Sequence, residues 1–206
     1  MRREGIHSLS KWIHLPQSNK PCTEGAFLIK PFEPIEEKLK FDGTIVSIYE
    51  GKFRTPNEEV VTREITKHPG AVCIVPLVGE EIIMIRQYRS AANQYLLEIP
   101  AGKRDIPGES PEATAHRELI EEVGLKAGQL QLMSEFYNSP GFCNEYSYCY
   151  LATHCVPVQD NRQGIEEEHM EVVRVDLADV VSLISEKRII DAKSILGLLL
   201  AKEYVG

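Results

Sequence analysis

The chain has 206 residues, 43% hydrophobic and 26% charged, with a formal net charge of −8. This is the range of a soluble globular protein long enough to bury a core unaided, which excludes wholesale disorder, collagen-like sequence and coiled coil. Surplus negative charge makes nucleic-acid backbones poor partners, and apolar stretches such as Ala71–Val75 and Ile195–Ala201 are too short to span a bilayer, so neither nucleic acid nor membrane is expected.

Residues 1–40 carry Pro16, Pro21, Pro31 and Pro34 without sustained periodicity. They read as an arm with little regular structure, ending at most in a short strand, ahead of a domain over 41–206. The first residues show no apolar leader. From Phe41 onward, β-branched and aromatic runs predict strands at Thr44–Phe53 and Glu59–Ile65, joined by a turn at Thr55-Pro56-Asn57. A second pair, Ala71–Val78 and Glu81–Arg89, turns around Gly79 and precedes a short strand at Tyr95–Ile99. The clearest helix follows, with Ser110 as N-cap, Pro111 in the first position and Gly124 as its stop. Strands are expected at Gln129–Tyr137, Glu145–Cys155 and Glu171–Val175, then helices at Leu177–Lys187 and Asp191–Tyr204. Strands first, one central helix and helices at the end give an α/β class: a mixed sheet covered by helices. Five cysteines, odd in number and without a C-x-x-C pair, suit a reducing cytoplasm.

The central helix carries the chemistry. Glu118, Glu121 and Glu122 stand three and four residues apart and crowd one flank, where like charges repel. Ala115, Leu119 and Val123 form the apolar stripe beside them, Arg117 is the cation in the middle, and Glu109 precedes the cap. Hard oxygen ligands gathered in this way suit magnesium or manganese, with substrate phosphates completing the coordination. Other chemistries lack their signatures: no G-x-x-x-x-G-K-[ST], G-x-S-x-G or H-E-x-x-H occurs. His116-Arg117-Glu118 spells H-x-E, but no P-C-x-x-C follows it.

The segment Gly102–Leu125 resembles the Nudix box, G-x5-E-x7-R-E-U-x-E-E-x-G-U, with U a bulky apolar residue. Glu109, Arg117-Glu118-Leu119, Glu121-Glu122 and Gly124-Leu125 fall on its defined positions. One departure is visible: six residues, not five, separate Gly102 from Glu109, so the loop is longer while the helix keeps its register. The resemblance covers about residues 42–204. It implies a Nudix α/β/α sandwich with a mixed sheet and an N-terminal β-rich extension. It also implies two to three Mg2+ (or Mn2+) ions, with Glu118 and Glu122 as principal ligands and Glu121 as a further or water-mediated one. Gly102, Glu109, Arg117 and Gly124 would be structural parts of the box.

Leu97-Glu98-Ile99-Pro100-Ala101-Gly102 resembles the lead-in of the ADP-ribose and nucleoside-diphosphate-sugar pyrophosphatases. In that branch the carbonyl at the position of Ala101 is a metal ligand and a glutamate like Glu98 lies close to the metals, so the resemblance implies Ala101 and Glu98 as further metal ligands. Pro140, fifteen residues after Leu125, lies in a Ser139–Glu145 loop that resembles the branch's S-P-G loop. Arg63 and Arg89 stand in contexts that the branch uses for substrate, so the resemblance implies them as phosphate contacts, which suits arginine's bidentate grip on phosphate. Related pyrophosphatases supply a catalytic glutamate from an acidic loop before such a strand, and that resemblance makes Glu168 the leading candidate for the base that activates water, with Glu167, Glu166 and Glu121 behind it.

The resemblance implies metal-dependent hydrolysis of ADP-ribose to AMP and ribose 5-phosphate. Another nucleotide sugar, such as GDP-mannose or ADP-glucose, is an alternative, as is a sensor that binds ADP-ribose without cleaving it. It further implies a homodimer with exchanged N-terminal strands, the 41–66 hairpin being the element used.

Overall fold

In the computed structural model, described for residues 30–159 and 169–205, a small exposed sheet adjoins a larger one covered on both faces. The small sheet is antiparallel, in the order β1 (Glu33–Asp42), β2 (Ser47–Arg54) and β3 (Val60–Lys67). Strand β1 corrects the expectation of an irregular arm up to residue 40: from Glu33 onward the chain is regular strand, ten residues long and ending at Asp42. The N-terminal unit is therefore a three-stranded sheet and not a lone hairpin. No continuous apolar run announces β1, because the strand is exposed throughout and is held by backbone pairing to β2. Glu36 pairs with Lys52, Glu37 with Lys67 and Glu50 with Lys40, exposed bridges that add little each. Pro34 is tolerated because β1 is a sheet edge, where a ladder donor can be missing.

The large sheet contains β4 (Ala71–Val78), β5 (Glu81–Arg89), β6 (Gln94–Glu98), β7 (Ala101–Lys103), β9 (Gln129–Tyr137), β10 (Tyr146–Thr153) and β12 (Glu171–Asp176). Its main path runs β12-β5-β4-β10-β9, with β6 on β5 and β7 on β4. Strands β4 and β10 are parallel and the other pairs antiparallel, giving the mixed sheet expected. A two-residue pair, β8 (Leu125–Lys126) with β11 (Val156–Pro157), completes the strands.

Alternation along β4 sends Val72 and Ile74 to one face and Cys73 and Val75 to the other. Helix α1 (Pro111–Val123) covers the first face, packing Ala115 and Leu119 on Val72, Ile74 and Ile83. Helices α2 (Val180–Ser185) and α3 (Ala192–Val205) cover the second, packing Val180, Leu183, Leu198 and Ala201 on Cys73, Val75, Ile82 and Met84. Both faces being buried explains why β4 reads as an almost unbroken apolar run. The helix expected at Leu177–Lys187 begins instead as a 3-10 turn, Leu177–Asp179, capped by the Asp176 side chain on the Ala178 N–H at 2.7 Å. Gly197 lets α3 come close: a β-carbon there would stand 2.9 Å from Ile99 Cδ1 and 3.1 Å from Cys149 Sγ. No helix among the described residues is long and apolar enough to cross a membrane.

A fork in this sheet positions the site. Strands β4 and β5 pair at Leu77–Ile82 and Val78–Glu81 and then part. Strand β6 continues beside β5 and β7 beside β4, so the Glu98–Gly102 turn lies between the branches. The Ile74 N–H bonds the Pro100 carbonyl at 2.9 Å and fixes that turn.

Candidate active site

The start and stop signals of α1 act as the sequence indicates. Ser110 Oγ accepts the Ala113 N–H at 3.2 Å, and Pro111 occupies the first position. Gly124 ends the helix at φ 63°, a left-handed conformation that favours glycine, with its N–H returned to Ile120. These ends set the rotation of α1 so that Glu118 and Glu122, only 7% and 4% exposed, turn inward toward β7. Glu122 Oε2 accepts the Ala101 N–H at 2.8 Å. Glu118 packs on Gly102 so closely that a β-carbon at 102 would coincide with its carboxylate.

Arg117 ties the box together. Its Nη1 donates to Glu118 Oε1 at 2.7 Å and Glu121 Oε2 at 2.9 Å, while Nε and Nη2 donate to Glu109 at 3.2 and 3.1 Å. Thr114 Oγ1 adds a bond to Glu109 at 2.9 Å. One guanidinium thereby offsets repulsion that three clustered carboxylates would otherwise feel. Hydrogen bonding to Glu109 is the largest cause of the raised Arg117 pKa, and the bond from Arg117 holds the Glu109 carboxyl below its ordinary value.

At the fork, Glu98 is 1% exposed and sits between two cations. Arg89 grips it bidentately, Nε to Oε1 at 2.8 Å and Nη2 to Oε2 at 2.7 Å, and Lys193 of α3 donates to Oε2. Burial pushes the Glu98 pKa up, but the Arg89 hydrogen bonds and the charges of Lys193 and Arg89 outweigh it and leave the carboxyl below its ordinary value. Glu98 raises the Arg89 pKa most strongly, and the charges of Glu122 and Asp191 raise it further, so the fork and the acidic helix share one electrostatic environment.

Pro140 and Arg63 make their contacts with other elements. Pro140 is in a loop closed by Phe142 and Cys143 N–H bonds to the Ser139 carbonyl. That loop is stitched to the end of β3 through Thr66 N–H to Phe142 O at 2.7 Å and Asn144 N–H to Thr66 O at 3.1 Å. Arg63 stands on β3 opposite Gly51 and donates to the Thr62 carbonyl at 2.8 Å, so it belongs to the exposed sheet. Glu168, with Glu166 and Glu167, lies outside the described residues.

Sequence reading missed Lys193, Asp191 and Ser194. One signal was available: a lysine in the first turn of a helix opposes the helix dipole and needs a local anion.

The donors near α1 are carboxylate oxygens, hard ligands that fit a divalent cation. Glu118 is buried against Gly102 and Glu122 against the Ala101 N–H, although among the described residues no three acidic, histidine or cysteine side chains converge as a finished cage.

The chain is similar to known proteins. A family model described as the NUDIX domain matches residues 67–196. The chain is 39% identical over 161 residues to the ADP-ribose pyrophosphatase of Bacillus subtilis, covering 78% of this chain and 86% of that one. It is 36% identical over 166 residues to the methanol dehydrogenase activator of Bacillus methanolicus, covering 80% and 89%. A solved crystal structure of an ADP compounds hydrolase superposes with a TM-score of 0.76 at 25% identity, covering 86% of this chain and 95% of that one.

Proposed function

The chain belongs to the NUDIX family, and from that membership we propose that it hydrolyses the pyrophosphate bond of ADP-ribose, giving AMP and ribose 5-phosphate. The observation that carries the reading is the packing of two buried box glutamates onto the lead-in turn, Glu118 on Gly102 and Glu122 on the Ala101 N–H. The names of the relatives supply the substrate class: ADP-ribose for the Bacillus subtilis protein and ADP compounds for the solved structure.

Nudix hydrolases need divalent metal ions. Here Glu118 and Glu122, with the Ala101 carbonyl, would hold Mg2+ or Mn2+, two to three per site, and Glu121 and Glu98 stand in the surrounding shell of charge. Ions held there would supply positive charge against the pyrophosphate and a more acidic water. The chain's own residues do the rest. Arg89 and Arg63 bind phosphate oxygens, the Pro140 loop borders the substrate, and Glu168 accepts the proton of the water.

A homodimer with exchanged N-terminal strands accounts for two features. Arg63 lies on the exposed sheet, and Leu39, Phe41 and Val60 of that sheet, with Phe32 just before it and Ile45 in its first turn, are about half exposed. The described cysteines, Cys73, Cys143, Cys149 and Cys155, are all free, which agrees with a cytoplasmic location.

The test is incubation with Mg2+ and ADP-ribose, ADP-glucose, GDP-mannose, NADH or diadenosine polyphosphates, with chromatographic resolution of products. Glu122→Gln is the control, since its amide oxygen can still accept the Ala101 N–H while the ligand charge is lost. AMP from ADP-ribose, absent with the variant, is the expected result. Preference for GDP-mannose would move the substrate, and binding of ADP-ribose without turnover by the wild type would make the protein a sensor.

A further inference from the structure

We propose that Lys193 is a positioning residue for the substrate phosphates, acting through Glu98 on Arg89; this rests on the pyrophosphatase reading above. Four charges alternate in a line: Asp191, Lys193, Glu98, Arg89. Asp191 Oδ2 accepts from Lys193 Nζ at 2.9 Å, Lys193 donates to Glu98, and Glu98 receives two donors of Arg89. The line begins at the residue just before α3 and ends on β5, crossing the fork in the sheet.

Its inner end is stiff. Ser194, fully buried, donates to Asp191 Oδ2 at 2.5 Å and accepts the Ile99 N–H at 2.9 Å. The start of α3 therefore holds the strand end at two adjacent residues, by the Glu98 side chain and by the Ile99 backbone. Its outer end is poised. Nε and Nη2 of Arg89 are taken by Glu98, while Nη1 has no hydrogen-bond partner among the described residues. A planar guanidinium held at two points has a fixed third direction, so the remaining Nη1 donors are preorganised for an anion. Three donors already occupy the two oxygens of Glu98. A cation seeking Glu98 would have to compete with both Arg89 and Lys193, which makes Glu98 a brace for Arg89 and not a metal ligand.

Lys193→Met and Lys193→Arg decide it. Each is assayed with ADP-ribose and Mg2+, titrated with Mn2+ alone by electron paramagnetic resonance, and titrated calorimetrically with the non-hydrolysable α,β-methylene analogue of ADP-ribose. The methionine variant is expected to raise KM and the analogue's Kd about tenfold, the scale of one charge-assisted contact. Its kcat and Mn2+ affinity should stay near wild type, and the arginine variant should recover most of the loss. Unchanged KM and analogue affinity would overturn the assignment. So would a fall in Mn2+ affinity that tracks the loss of activity, because Glu98 would then serve the metal. Should the wild type bind the analogue without turning over ADP-ribose, the hydrolase reading fails, while the analogue titration still judges Lys193.

Discussion

The carboxylate of Glu118 occupies the space that a side chain at residue 102 would need: a β-carbon on Gly102 would lie 1.8 Å from Glu118 Cδ. The glycine is required by this close approach, not by its own backbone conformation. Gly102→Ala should push the carboxylate away from β7 and lower kcat for ADP-ribose by about a hundredfold, the cost of misplacing a reacting group by about 1 Å. The far-ultraviolet circular dichroism should be preserved. Activity within a few-fold of wild type would show that Glu118 is not needed where it lies.

Arg117 joins Glu109, Glu118 and Glu121, and its side chain is 26% exposed. Arg117→Met should cost about 2 kcal/mol, between an exposed and a buried pair, because it leaves like charges facing one another. Thermal denaturation should show Tm lower by about 4–8 °C for a chain of this size. Saturating Mg2+ should restore part of that loss, since a bound cation replaces the missing positive charge. A loss that Mg2+ does not touch would separate Arg117 from the metal site.

Glu109 also gives a pH signature. Hydrogen bonding to Arg117 holds its carboxyl below the ordinary value of 4.5, which is the value it regains on unfolding. A depressed folded pKa gives stability that is fully present above pH 4.5 and is lost as pH falls through the folded value. Urea denaturation between neutral pH and acid should therefore show stability falling below that point. The slope should be shallower in Glu109→Gln; equal slopes would place the acid sensitivity elsewhere.

The exposed apolar side chains of the N-terminal sheet predict the oligomeric state. Light scattering at micromolar concentration should give twice the 23.3 kDa chain mass. Leu39→Asp with Phe41→Asp should yield single chains and reduce turnover of ADP-ribose, because Arg63 would no longer be carried to a neighbouring site. A wild-type mass of one chain would remove the exchanged-strand arrangement and the role of Arg63 with it.

Much of helix α1 was legible in the residues because its signals are local. Ser110, Pro111 and Gly124 act within a turn of themselves, and the spacing of Glu118, Glu121 and Glu122 fixes their shared flank whatever surrounds them. The strands Ala71–Val78 and Glu81–Arg89 were equally clear, since burial on both faces leaves an apolar run bounded by a turn. Strand β1 was not, because an exposed edge strand is specified by its partner and not by its own periodicity.

The helix, its carboxylates and the glycine that ends it all follow from residues a few positions apart. What those groups face depends on contacts between distant parts of the chain. The parting of β4 from β5 makes the gap that receives Glu98–Gly102, and the close approach of α3 at Gly197 brings Lys193 to a glutamate 95 residues away in the chain. Such pairings depend on packing distances between layers of the sandwich, and no spacing along a single strand or helix contains them.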